Sequence, residues 1–190
     1  MPQQGNSTTR VLETDRLFLR RLSTNDVAFI VELLNEPSFI RNIGDKGVRT
    51  TDDASKYLLT GPIASYEQFG FGLYLAELRD SGIPIGICGL LKRESLDDAD
   101  IGFAFLERFW GHGYAFEAAS AVMDYGRRLL RLPRIVAITA PDNQASIKVL
   151  EKIGLRFVKM ISLPGYKEES MLFNSEWAIQ ESEDGGLIQT

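Results

Sequence analysis

Two short stretches carry residue types whose spacing suits chemistry. The first is RFWGHGYA, residues 108–115, where two glycines alternate as a β-like run gives way to a helical one. Glycine lets a backbone approach a ligand closely, and the first N–H groups of a helix lack intrahelical partners. Such a junction can hold an anion such as a phosphate. No Gly-Lys-Ser/Thr follows and no third glycine completes a dinucleotide fingerprint, so the stretch is neither a Walker loop nor a Rossmann turn. A tight turn whose glycines serve only backbone geometry is the competing reading. His112, between the glycines, reads as a solvated loop residue, since no carboxylate, Cys or second His stands nearby in sequence.

The second stretch is NQASIKVLEKIGL, residues 143–155. At 100° per residue, Ser146, Val149, Leu150 and Ile153 share one face and Lys148, Glu151 and Lys152 the other. Ser146 therefore faces inward, where its hydroxyl either bonds the backbone at the helix start or meets a ligand. Asn143 suits an N-cap, and its amide keeps donors for a further contact. Elsewhere, Asp97, Asp98 and Asp100 cluster before an apolar run; a solvated turn explains them, with Asp100 at the edge of that run placed to point into a cleft. Cys88, in IGICGLL, reads as a buried structural thiol, and the many aromatics as core with some lining a pocket.

The surrounding pattern predicts the elements that position these groups. Residues 16–21 alternate as a half-buried strand, Ser23 and Thr24 offer N-caps for a helix over about 25–35, and Pro37 stops it. Thr51, Asp52 and Asp53 open a second helical region that Gly61-Pro62 interrupts. Residues 71–93 read as a hairpin and 99–106 as a third strand. A long helix after the glycine loop has a mostly small inner face of Ala115, Ala118, Ala119, Val122, Met123 and Gly126. Residues 134–139 form a short buried strand, the 143–154 helix follows, and strands near 156–162 and 168–173 close the sheet. The order is mixed α/β with adjacent hairpins, which fits neither an all-β nor a uniformly alternating fold.

Composition narrows the function classes. A chain of 190 residues, 44% hydrophobic and 25% charged, predicts one globular domain over residues 10–180, with polar ends at 1–9 and 181–190 expected to be flexible. The net charge of -5 argues against a general nucleic-acid binder. One Cys and one His cannot build a disulfide or the usual Cys/His zinc site, so no metal is expected. The first ten residues lack a signal-peptide pattern, and no long uncharged apolar run occurs, which predicts a cytoplasmic protein with no membrane partner. Oligomeric state has no signal.

RFWGHGYA resembles the RxxGxG/A pyrophosphate loop of the GNAT superfamily of acyl-CoA-dependent N-acetyltransferases, and NQASIKVLEKIGL resembles that superfamily's second conserved helix. ETDRLFLRRL, LLNEPSFIRNIG at residues 33–44 and ADIGFAFLERFWGHGYAFEAA resemble the branch containing the ribosomal-protein N-terminal alanine acetyltransferases. Together they cover about residues 10–175. The resemblance implies a central, mostly antiparallel sheet flanked by helices, whose fourth and fifth strands splay to admit acetyl-CoA. It implies cofactor contacts from Arg108, Phe109, Trp110, Gly111, His112, Gly113, Tyr114 and Ala115, and from Asn143 and Ser146 near the pantetheine arm and thiol. The position of the superfamily's usual Tyr acid holds Leu150; in the ribosomal-protein branch a Ser serves, which makes Ser146 the candidate and leaves Tyr166 as the next one. Asp100 stands where that branch often has Glu, and Phe116 where Thr is usual.

These expectations describe direct transfer of an acetyl group to a primary amine, a protein N-terminus or a small molecule. Asp100 would be the water-linked base, a backbone N–H of the splayed strand would meet the oxyanion, and Ser146 the departing thiolate. A catalytically silent acyl-CoA-binding module is the alternative.

Overall fold

The structure, a computed structural model, describes residues 9–164 and 168–175. The ends expected to be flexible lie, Thr9 apart, outside the described residues, as does Tyr166. In chain order the elements are β1 (Arg10–Glu13), β2 (Leu17–Arg21), α1 (Val27–Leu34), α2 (Pro37–Ile43), α3 (Thr51–Leu58), α4 (Ala64–Phe69), β3 (Leu73–Leu78), β4 (Pro84–Leu91), β5 (Ala99–Phe105), α5 (Tyr114–Arg128), β6 (Ile135–Thr139), α6 (Gln144–Lys152), β7 (Leu155–Ile161) and β8 (Ser170–Ser175). The strands form one sheet in the order β1-β2-β3-β4-β5-β6-β8-β7. Neighbours run antiparallel except β5 and β6, which are parallel.

Strand alternation builds two cores, one on each face. Leu73, Leu75 and Ile87 point into the layer with Ile30, Leu33 and Leu58 of α1 and α3, whereas Tyr74, Ala76, Cys88 and Leu90 meet Ala118, Ala119 and Val122 of α5 and Leu150 of α6. The small inner face of α5 lets it lie close on the sheet. A Cβ added at Gly126 would stand 2.5 Å from Ile135 Cδ1 and 3.3 Å from Leu90 Cδ1. Cys88 is fully buried, and burial pushes its thiol well above the usual range, which removes the thiolate a nucleophile needs.

Several helix signals do more than the pattern predicts. Ser23 caps the first helical turn reciprocally with Asp26, and Thr50 does the same with Asp53 for the helix that begins, as expected, at Thr51. Pro37 ends α1 and also begins α2 as its first residue, where a missing N–H costs nothing. Gly61-Pro62 does not break the second helical region. A wide turn over Leu59–Ile63 absorbs the proline and carries the chain into α4, with Pro62 buried. The strand β1 lacks an expectation altogether; among the described residues it pairs only with β2, at the sheet edge.

The parallel pair makes the site. β5 and β6 pair at Ala99 with Ile135 and Asp100 with Val136 and then diverge, while β5 stays zipped to β4 through Phe105. A gap therefore opens between the far half of β5 and the end of β6. Because β1 adds a strand at the start, the splay implied between fourth and fifth strands falls here between the fifth and sixth.

Candidate active site

The glycine loop closes one end of this gap. After β5, residues Glu107–Phe109 make a short turn, and Gly111 and Gly113 take φ of 79° and 82°, left-handed values that favour glycine. The first intrahelical bond of α5 runs from Glu117 N–H to Gly113 O at 3.0 Å. The N–H groups of Tyr114, Ala115 and Phe116 thus precede the intrahelical ladder, at the positive end of a fifteen-residue helix beside the cleft. This is the donor set that a phosphate requires.

The side chains of the loop divide. Phe109, Trp110, Tyr114 and Ala115 line the cleft with the two glycines. Trp110 Nε1 donates to Phe105 O at 2.7 Å and so ties the loop to the strand end. Arg108 turns away, donating to Glu32 Oε1 at 2.6 Å and lying over the Phe109 ring. His112 also stays outside, its Nδ1 2.8 Å from Trp110 O and its ring stacked on Tyr114.

Arg16 holds the loop from below, a role the sequence pattern does not announce. Its Nε and Nη2 reach Glu117 Oε2 at 2.7 and 2.6 Å, and its Nη1 donates to His112 O at 2.9 Å. The guanidinium also lies over the Tyr114 ring at 4.6 Å. Glu117 Oε1 accepts from the Arg16 N–H and the Thr14 hydroxyl. Burial raises the Glu117 carboxyl, but these hydrogen bonds outweigh it and hold the group below its ordinary range.

On the opposite jaw, Asn143 Oδ1 accepts the Ser146 N–H at 3.1 Å and caps α6. The inward line of α6 runs through Ile147 and Leu150, both buried, rather than through Ser146 as the helical projection places it. Ser146 and Val149 sit on the shoulder of that line and face the cleft. The Ser146 hydroxyl enters none of the hydrogen bonds among the described residues, so capping belongs to Asn143 and not to it. Leu150 is packed into the core at 2% exposure and has no proton to give.

Asp100 forms the floor at the closed end of the splay. It is 1% exposed and lines the cleft. Arg93, from the connection between β4 and β5, donates through Nε to its Oδ2. Oδ1 is buried with no hydrogen-bond partner. Burial pushes the carboxyl up to about 6, against the opposing pull of the Arg93 charge and hydrogen bond and of the Ile138 N–H, which attracts it without reaching hydrogen-bond geometry. A buried orphan acceptor is costly, and a group arriving from the cleft would satisfy it. Leu106 N–H bonds Ile85 O toward β4 at 3.0 Å, so by strand alternation the N–H groups of Phe103 and Phe105 turn toward the gap.

The structure thus brings Asp100, Phe109, Trp110, Gly111, Gly113, Tyr114, Ala115, Asn143 and Ser146 onto one cleft of about 1260 Å³. That exceeds the roughly 300–1,000 Å³ of drug-sized sites and leaves space for a donor and an acceptor together. Among the described residues no group of three or more His, Cys, Asp or Glu could hold a metal ion, and no helix is long and apolar enough to cross a membrane.

Comparison with known proteins bears on this arrangement. The Acetyltransferase (GNAT) domain family matches residues 16–156. Protein YkkB of Bacillus subtilis is 34% identical over 160 residues, spanning 82% of this chain and 90% of that protein. The N-acetyltransferase YnaD of the same organism is 30% identical over 145 residues, 76% of this chain and 82% of its own. An acetyltransferase structure from Agrobacterium tumefaciens superposes with a TM-score of 0.73 at 25% identity, covering 93% of this chain and 100% of that one. With the splayed sheet and the glycine loop at the start of α5, these matches make the chain a member of the GNAT acetyltransferase family.

Proposed function

We propose that the protein transfers an acetyl group from acetyl-CoA to a primary amine by direct attack within one cleft. The observation that carries the reading is the pairing of a free helix N-terminus at one end of the gap with the orphaned Asp100 Oδ1 at the other. The residues fit the donor: the N–H groups of Tyr114, Ala115 and Phe116 suit its pyrophosphate, and Asn143 and Ser146 flank the path of its pantetheine arm. Bound there, acetyl-CoA supplies the thioester acyl group.

Asp100 accepts a proton through water from the acceptor ammonium, whose pKa is about 8 for an α-amine and about 10.4 for a lysine. The Phe103 and Phe105 N–H groups are the candidates for the negative charge that develops on the acyl oxygen. Ser146 donates a hydrogen bond toward the sulfur as the carbon–sulfur bond breaks. Of the two protons the ammonium loses overall, one ends on the CoA thiol and one in solvent. Relatives' names include both kinds of acceptor: the Escherichia coli [ribosomal protein uS5]-alanine N-acetyltransferase is 28% identical over 111 residues, and the Aspergillus fumigatus FsC-acetyl coenzyme A-N(2)-transacetylase 28% over 154. Thiol release from acetyl-CoA over a panel of amines and N-terminal peptides tests the reading. Release with none of them, beside intact CoA binding, leaves a silent acyl-CoA-binding module instead.

Two further outcomes follow from the jaws of the cleft. Ser146→Ala leaves CoA binding nearly intact and slows single-turnover transfer, whereas Leu150→Ala chiefly costs stability, about 2–5 kcal/mol for a buried Leu. Wild-type transfer rates in Ser146→Ala would move the leaving-group role to another residue, with Tyr166 next. Arg16→Ala weakens CoA affinity roughly fivefold, the equivalent of about 1 kcal/mol for a half-exposed ion pair. Arg16→Lys fails to restore it, since an ammonium cannot fork between Glu117 and the His112 carbonyl. Calorimetric CoA titration reads both, and full rescue by Lys reduces Arg16 to a point charge.

A further inference from the structure

The end of the cleft away from the glycine loop carries charges that amine deprotonation alone does not require. Asp100 lies near the start of β5 and the loop follows its end, so five residues of extended strand, roughly 16 Å, run from Asp100 to the strand end where the loop begins. Arg93 reaches Asp100 at this far end. Lys46, from the segment between α2 and α3, lines the same cleft and belongs to none of the salt bridges among the described residues. Desolvation of its ammonium, and behind that the Arg93 charge, lowers its pKa. The residue as a whole is exposed, so an arriving group can reach it. From the other jaw, the chain entering β8 contributes Glu168 and Glu169 to the lining.

Arg93 is compensated by Asp100, but Lys46 is not. An anion seated at Lys46 would relieve its repulsion with Arg93. The phosphates of CoA bind at the other end of β5 and are too far away to serve. We propose that Lys46, backed by Arg93, forms a subsite for a carboxylate on the acceptor, so that the acceptor is a zwitterionic amine of the amino-acid type. Its ammonium is drawn toward Glu168 and Glu169 and presented to Asp100, while its carboxylate faces Lys46. The proposal rests on the acetyltransferase reading above and narrows its acceptor.

Initial rates of thiol release with matched amines test it: L-phenylalanine against phenethylamine, L-leucine against isopentylamine, and L-leucine against L-leucinamide. The amide arm matters because its amine is the weaker base, so easier deprotonation cannot imitate a preference for the acid. The expected kcat/KM is at least tenfold higher for the acid in one or more pairs. Lys46→Met brings that ratio toward one through a raised KM for the acid, and Lys46→Glu takes it below one. CoA titration of each variant verifies that it is folded. Equal or higher kcat/KM for the partner without the carboxylate in every pair, or a wild-type ratio in both variants, overturns the subsite and leaves the acetyltransferase reading standing. Absence of thiol release with every amine rejects that reading and the acceptor proposal with it.

Discussion

Asp100→Asn lowers acetyl transfer by roughly 10²- to 10⁴-fold, the range for loss of a positioned acid–base group, while CoA affinity stays near wild type. The separation follows from geometry: the carboxyl sits at the closed end of the splay, whereas the glycine loop follows the other end of β5. Burial pushes Asp100 up to about 6 in the free protein, so the wild-type kcat/KM profile has an acidic limb centred there, below which the base is protonated and transfer falls tenfold per pH unit. The Asn variant loses that limb. Turnover and an acidic limb indistinguishable from wild type would place the base elsewhere. The same shift has a consequence for stability. The folded-state value lies above the ordinary 3.8, so the group's contribution is fully present below about pH 4 and is lost as pH rises through about 6. Asp100→Asn cannot lose it. Urea unfolding of the two proteins therefore shows the variant gaining on wild type between pH 4 and pH 7, whatever the cost of leaving Arg93 without its carboxylate.

What was legible in the sequence is local. Alternating glycines before a helix, and Asn143 three residues before Ser146, are signals written within one turn of chain, and the structure gives both glycines left-handed φ and has Asn143 accept the Ser146 N–H. Periodicity found the hairpin and α5 for the same reason. The projection of α6 was less exact, because its buried line runs through Ile147 and Leu150, of which only Leu150 belongs to the predicted set. Proline and glycine misled where context overrode them: Pro37 begins a helix as well as ending one, and a wide turn swallows Pro62. The contacts that set the site's electrostatics join distant parts of the chain. Arg16 and Glu117 are 101 residues apart, and Lys46 meets the Asp100 end only because α2 and α3 fold over that face. No spacing rule reaches such pairs, so Asp100 could be singled out at the edge of an apolar run while its guanidinium partner could not.

Gly111→Val and Gly113→Val abolish most of the CoA affinity without unfolding the protein. At both positions φ is near +80°, where a β-branched residue is an outlier, and holding it there costs about 1–3 kcal/mol. Crowding within the free protein is not the cause. A Cβ at Gly111 would meet nothing within 4 Å, and one at Gly113 would meet only Arg16 Nη2, at an ordinary 3.5 Å. The free loop can therefore relax away from the left-handed turn, and what it loses is the backbone course that directs the first N–H groups of α5 at the cleft. If that strain were the whole effect, CoA affinity would fall roughly 5- to 150-fold, the equivalent of those 1–3 kcal/mol. Bulk standing where the phosphates approach adds to it. Gly113→Asn separates the two contributions, because Asn tolerates the left-handed region while still adding a side chain. Near wild-type affinity in Asn beside a severe loss in Val assigns the role to backbone conformation; equal losses assign it to close approach. Calorimetry showing unchanged CoA affinity in folded Val variants at both positions removes the loop from the binding site, since neither strain nor bulk could then be acting on the ligand.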